Sequence, residues 1–399
     1  MTEERNIKPN MQSEEATVLP KNSPSIKKNV IPPGFILEYR IKRLLFHMGY
    51  FVKNGVIMKT SNDENALIVT DLDVFGVYVH RDFSSKTIWA DCKSGKAKVH
   101  ERISWIKGIM STLNIDDTIF VKQGIRTEVK KYAQKTDIQI MELNVVDKLE
   151  KDYKILQHDW SGSWDYKTQY YQGTIFSKIN VPTNDLYKRI YNFIVSDYWV
   201  MDSYSSVKKI ITALRELSKM DGVSISPEET LSIKWAKYEL IGLFLLSTLN
   251  ISKELYYLKE TEKKEIILES LSSGEISNKK RAEIFGAAFK LAYSLVQKQI
   301  PDYIAPEENV DINLTPPKYA DAFIDLIMRM NSNPDMYYDL LRYLDYILME
   351  FDFKSLEIDE SKVKDIFPNP DNLTLGAKTI LNFICQVTGI SKADFQLIK

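Results

Sequence analysis

Thr70-Asp71-Leu72-Asp73-Val74, followed about twenty residues later by Ala90-Asp91-Cys92-Lys93, decides how this chain is read. Both stretches lie at the ends of short apolar runs bounded by the turn-forming clusters Asn62-Asp63-Glu64-Asn65 and Asp82 to Ser85, the pattern of β-strands. Successive side chains of a strand point to opposite faces, so Asp91 and Lys93 share one face and Cys92 points to the other. By the same rule Asp71, Asp73 and Phe75 lie on one face, and Leu72, Val74 and Gly76 on the other. Two carboxylates and one ammonium on adjacent strand ends are the minimal set for holding a divalent metal and activating water against a phosphodiester. Alone, Asp91 and Lys93 fit a salt bridge better than a metal site. Asp73 favours the metal reading, because a carboxylate in an apolar strand needs a partner, and a metal with Asp91 as co-ligand supplies one.

Working outward, Pro33-Gly34 opens a helix whose Leu37, Ile41, Leu44, Leu45 and Met48 recur at helical spacing up to Gly49. Glu38 borders that stripe and is a third acidic candidate, reaching the metal directly or through water. The elements expected next are strands over 50–59, 66–80 and 87–93, a helix over 99–113, a strand over 118–122, a helix over 126–134 and a strand over 138–143. The order α-β-β-β-α-β-α-β describes an α/β domain with a mixed sheet flanked by helices. Beyond about residue 150 the pattern changes. Trp160, Trp164, Tyr166, Tyr170 and Tyr171 crowd into a segment without clear periodicity, expected to pack a domain junction rather than stack on bases. From Asn184 the periodicity is helical almost throughout. Ser226-Pro227-Glu228-Glu229 is a capping box opening a helix to about Leu249. The expected organisation is a flexible polar arm over 1–33, the α/β domain over 34–150, an aromatic-rich connector over 151–184, and an all-α domain over 185–399 divided near the prolines of 301–317.

At 399 residues the chain exceeds one typical core. Its net charge of -1 makes no global case for a polyanion partner, but residues 1–150 hold 23 Lys+Arg against 19 Asp+Glu, and the remainder is acidic. Cys92 and Cys385 are far apart in apolar settings, which excludes a disulfide framework and suits a reducing cytoplasm. The four histidines lack metal-ligand spacing. No signal-peptide core or membrane span is legible, since the longest apolar stretch, from Leu240 to Leu249, is half the required length.

The chain resembles the PD-(D/E)XK nuclease superfamily, and within it the Mrr-like restriction endonucleases. The residues that carry the resemblance are Gly34-Phe35-Ile36-Leu37-Glu38, "TDLDVFGV" at 70–77, "ADCKSGK" at 90–96 and "TIFVKQGIRTEVKKYAQKTDIQIMEL" at 118–143. It covers about residues 34–145 and implies a restriction-endonuclease-like fold. It also implies roles. Asp73 and Asp91 become the metal-binding carboxylates, and the Cys92 backbone carbonyl a further metal ligand. Lys93 orients or polarises the attacking water, and Glu38 is the first-helix glutamate of many members. Leu72 stands where the superfamily's name places proline.

The implied activity is Mg²⁺- or Mn²⁺-dependent hydrolysis of DNA, with Lys96 and Lys98 on neighbouring phosphates. By family analogy the role is restriction or defence against foreign DNA. RNA is the less favoured substrate, and a homodimer or larger complex through the helical domain is expected. The alternative from another class is a non-catalytic module that binds nucleic acid or protein on a nuclease fold.

Overall fold

The computed structural model describes residues 33–63, 65–95, 98–179, 185–219, 226–273, 278–304 and 315–398. Of the polar arm read over 1–33 all but Pro33, which opens the first helix, lies outside the described residues, as do Lys96 and most of the helical break near 301–317. The chain begins with helix α1 (Pro33–His47), then β1 (Phe51–Lys59), β2 (Ile68–Val79), β3 (Ser85–Cys92), α2 (Val99–Leu113), β4 (Asp117–Val121), α3 (Thr127–Lys135), β5 (Ile138–Met141) and α4 (Leu143–Asp152). The five strands form one mixed sheet in the order β1-β2-β3-β4-β5. β1, β2 and β3 are antiparallel neighbours, and β4 and β5 add in parallel. The antiparallel strands are joined by turns, whereas each parallel addition needs a crossover, which α2 and α3 supply.

Strand alternation sorts the two faces. Leu37, Ile41 and Leu45 of α1 form one apolar cluster with Val52, Val74, Ala90, Cys92, Val121 and Val146. Trp89 and Phe120 belong to the larger cluster, which also holds Ile103 and Ile106 of α2 and Val129 and Ala133 of α3. α1 ends at Gly49, whose φ of +101° costs a glycine little.

The remainder is helical. α5 (Tyr166–Lys178), α6 (Leu186–Val195), α7 (Ser203–Lys219), α8 (Pro227–Leu255), α9 (Glu260–Ser273) and α10 (Asn278–Gln299) lead to α11 (Ala320–Ser332), α12 (Leu340–Tyr346), α13 (Glu360–Ile366) and α14 (Pro370–Thr388). A 3₁₀ turn over Asp197–Val200 follows α6, and a π-helical turn over Ile347–Asp352 extends α12. The Ser226/Glu229 capping box is present, with Pro227 at the first helical position. α8 runs one and a half turns beyond the expected Leu249 and is buried along most of its length. A helix that is apolar almost all round takes a central position, and α8 is the axis of this region.

Sheet and helices share one core, within the compact unit of residues 33–399. A Cβ on Gly242 of α8 would lie 3.6 Å from the Phe51 ring of β1. Phe75 of β2 meets Trp199 edge to face at 5.5 Å. Lys53 of β1 pairs with Glu239 of α8 at 2.6 Å and reaches Asp345 of α12 at 3.6 Å, all three nearly buried. The segment read as a connector contributes α5. Trp164 just before it packs at the junction, stacked on Tyr346 at 5.7 Å and 4.5 Å from the Phe46 ring.

Candidate active site

The antiparallel register of β2 and β3 places Val74 opposite Ala90 and Phe75 opposite Trp89. Continued one step, it brings Asp73 and Asp91 together where β3 ends. The backbone N–H of Cys92 donates to Asp73 Oδ2 at 2.7 Å. The Lys93 ammonium lies 3.4 Å from that same oxygen and 3.6 Å from Asp91 Oδ1. Lys93 thus bridges two carboxylates, and at 34% exposure it is the accessible member, while Asp91 is 1% exposed. The Cys92 side chain lies in the α1 cluster, away from the charged pair. Burial first, then the charges of Asp73, Glu38 and Asp91, hold its thiol well above the usual range, so it is no thiolate nucleophile.

Glu38 comes from α1. Burial, with the negative charges of Asp73 and Asp71 behind it, pushes its carboxyl up to about 7, while Lys93 pulls it down. Asp73 is raised by burial and then by Asp91, against Lys93 and the Cys92 N–H. Asp71 is raised by burial and by Asp73. Mutual coupling of this kind places Glu38, Asp71, Asp73, Asp91 and Lys93 in one electrostatic neighbourhood. Lys98 stands apart: 81% exposed, it pairs with Glu101 at 2.9 Å at the start of α2.

Arg102 completes the site and was not singled out by sequence reasoning. Its Nε donates to Asp91 Oδ2 at 2.9 Å and its Nη2 to Asp91 Oδ1, a two-pronged clamp. The guanidinium is also stacked 3.7 Å above the Trp105 ring. The available signal is position: Arg102 directly precedes Ile103, on the buried side of the first helix after β3. Two clefts adjoin the site. One, of about 280 Å³, is lined by Glu38, Asp71 and Asp73. The other, of about 320 Å³, is lined by Lys93, Arg40 and Lys122.

The donor chemistry fits a small divalent cation. The candidate ligands are hard carboxylate oxygens, and Glu38, Asp71 and Asp73 have proton affinities raised by burial and then by neighbouring carboxylates, a repulsion that a cation offsets. Among the described residues no group of three or more His, Cys, Asp or Glu side chains forms a ready-made cage. Mg²⁺ does not require one, because it keeps several waters and binds through one or two carboxylates plus substrate phosphate. Asp73 is the more open of the paired carboxylates, since both Asp91 oxygens are engaged by Arg102. No helix among the described residues is long and apolar enough to cross a membrane. Comparisons of the chain with family models, with curated proteins and with solved structures return no match.

Proposed function

We propose that the chain is a Mg²⁺- or Mn²⁺-dependent nuclease of the PD-(D/E)XK kind acting on DNA, with the Asp73, Asp91 and Lys93 end of the sheet as its active site. The observation that carries this reading is the Lys93 ammonium shared between Asp73 and Asp91, at 3.4 and 3.6 Å. Asp73 would hold the cation, joined by Asp91 once Arg102 yields, with the Cys92 carbonyl as a further donor and Glu38 reaching it through a water. The cation supplies charge neutralisation at the phosphate and lowers the proton affinity of a water in the cleft.

The rest is done by the chain's own groups. Lys93 donates a hydrogen bond toward the attacking water or a non-bridging phosphate oxygen, where negative charge develops. Glu38, with a proton affinity near neutrality, accepts a proton from that water. Lys122, in the cleft beyond Lys93, suits a flanking phosphate, whereas Arg40 there is held by Asp147 and Glu150. Buried, unpaired Cys92 and Cys385 agree with a reducing cytoplasm. Ile284, Phe285, Leu291 and Leu295 of α10 are 40–63% exposed and offer an assembly surface. A defence role is an analogy from the family resemblance.

One observation favours the second reading, a non-catalytic binding module: Arg102 occupies both oxygens of Asp91. Incubating the full chain with supercoiled plasmid, single-stranded DNA and RNA, each with Mg²⁺ and Mn²⁺, beside Asp91→Ala separates the two. Plasmid cleavage lost in the variant supports the nuclease. Binding without cleavage under either metal supports the module, and cleavage confined to RNA overturns the DNA assignment.

A further inference from the structure

The 280 Å³ cleft reaches from the acidic end of the sheet into the helical region, between β1, α1, α5, α6 and α8. Its walls are aromatic: Phe35 and Tyr170 meet edge to face at 5.2 Å, and Trp199 and Trp235 line it from the helical side. Two buried polar groups of this lining stand out. Lys42 is 4% exposed, its ammonium 5.4 Å from the Tyr39 ring, with Asp345 and Glu239 attracting it and Lys53 opposing it. Asn54 has both its amide nitrogen and its amide oxygen buried and unpaired. Beside Asn54 stands Gly55, between the ladder pairs Asn54–Val74 and Val56–Leu72, with a φ of +64° and open space where a side chain would project.

We propose that this cavity takes a single nucleobase, held between the aromatic walls and read by the Asn54 amide, with Lys42 meeting a base carbonyl or the adjoining phosphate. An amide presents one donor face and one acceptor face side by side, the complement of the paired acceptor and donor on a base edge. Aromatic rings accept any base on their faces. A purely apolar ligand would leave the Asn54 amide unpaired. The continuity of the cavity with Glu38, Asp71 and Asp73 places the phosphodiester of such a nucleotide at the Lys93 end. The base therefore comes from the strand to be cut, extruded from its stack, a step that rests on the nuclease reading. A free nucleoside monophosphate is the other source of the same chemistry.

The test is fluorescence anisotropy of the full chain, in chelator, with a labelled duplex carrying one bulged base and with its fully paired counterpart. The bulged duplex is expected to bind about tenfold more tightly, because its base needs no unpairing. Asn54→Leu and Tyr170→Ala are each expected to bring the ratio close to one. Equal affinities in the unmodified protein, or a preference untouched by both substitutions, overturn the proposal. Titration with nucleoside monophosphates, read by Trp199 and Trp235 fluorescence, distinguishes the sources. Saturable quenching that Asn54→Leu abolishes, without any bulge preference, overturns the strand as the source. Bulge preference without plasmid cleavage under any metal overturns the nuclease and leaves the pocket, and cleavage without bulge preference does the reverse.

Discussion

Arg102 grips Asp91 through Nε at 2.9 Å and through Nη2, so that a nearly inaccessible carboxylate at the end of β3 is neutralised by a helix that follows it in the chain. Asp91 stays in reach of Lys93, at 3.6 Å. On the nuclease reading, Arg102 and a cation would compete for the same oxygens.

Removing Arg102 leaves Asp91 buried beside a single, half-shared ammonium. Uncompensating a buried charge costs about 3 kcal/mol or more. Arg102→Leu is expected to lose stability of that order in chelator and to regain part of it when Mg²⁺ or Mn²⁺ is added. The melting temperature should rise more on metal addition than that of the unmodified chain. Equal shifts in the two proteins would contradict competition at Asp91.

Glu38 has a folded-state pKa of about 7, above the 4.5 of the free side chain. Between these values the folded state binds more protons than the unfolded one, so stability is greatest below pH 4.5 on this account and falls as pH rises toward 7. The loss is at most about 3 kcal/mol, less with solvent screening. Asp71 and Asp73, both raised, act in the same direction. Urea denaturation from pH 5 to 8 should show this decline and a flatter profile for Glu38→Gln. Divalent metal should bind more tightly as pH rises through the same range, because binding displaces the Glu38 proton. An unchanged slope in Glu38→Gln would remove Glu38 from the site.

Lys53 ties sheet to helices through Glu239 and Asp345. Lys53→Met strands two buried carboxylates and is expected to cost about 3–5 kcal/mol. Adding Glu239→Leu should recover much of that loss, since a buried pair is often replaced by apolar groups at little cost. A double variant as unstable as the single one would show that the pair is not the energetic link. Equilibrium denaturation of the two variants decides it.

Asn54 keeps two buried amide atoms unpaired, at about 1–3 kcal/mol for an unsatisfied group. Asn54→Leu, close in size, is expected to raise stability by about 1 kcal/mol while abolishing any recognition of a base. A lower melting temperature would mean that the amide is satisfied within the protein.

The α/β portion was legible because its strands alternate cleanly and its turns are polar. Every element from α1 to β5 lies within a few residues of its expected span, and α2 matches its bounds. Asp73, Asp91 and Lys93 followed from the period of two. α5 was not legible because Tyr166 and Tyr170 pack on Tyr39 and Phe35 of α1 while Tyr171 is 49% exposed, which blurs a single apolar stripe. The Lys53–Glu239 pair spans 186 residues, and no local pattern marks such a partner. Arg102 and Lys42 border the apolar stripes of their helices, where a cation reads as solvated until the packing neighbour is known.

Lys93 carries the central claim. The decisive measurement is the rate of supercoiled-plasmid cleavage in Mg²⁺ and in Mn²⁺ by the unmodified chain and by Lys93→Ala, with both shown folded by their melting temperatures. Cleavage by the unmodified chain and a loss of about 100-fold or more in Lys93→Ala is the expected result. No cleavage by the unmodified chain in either metal, or equal rates for the two proteins, would contradict the assignment of this site as a nuclease centre.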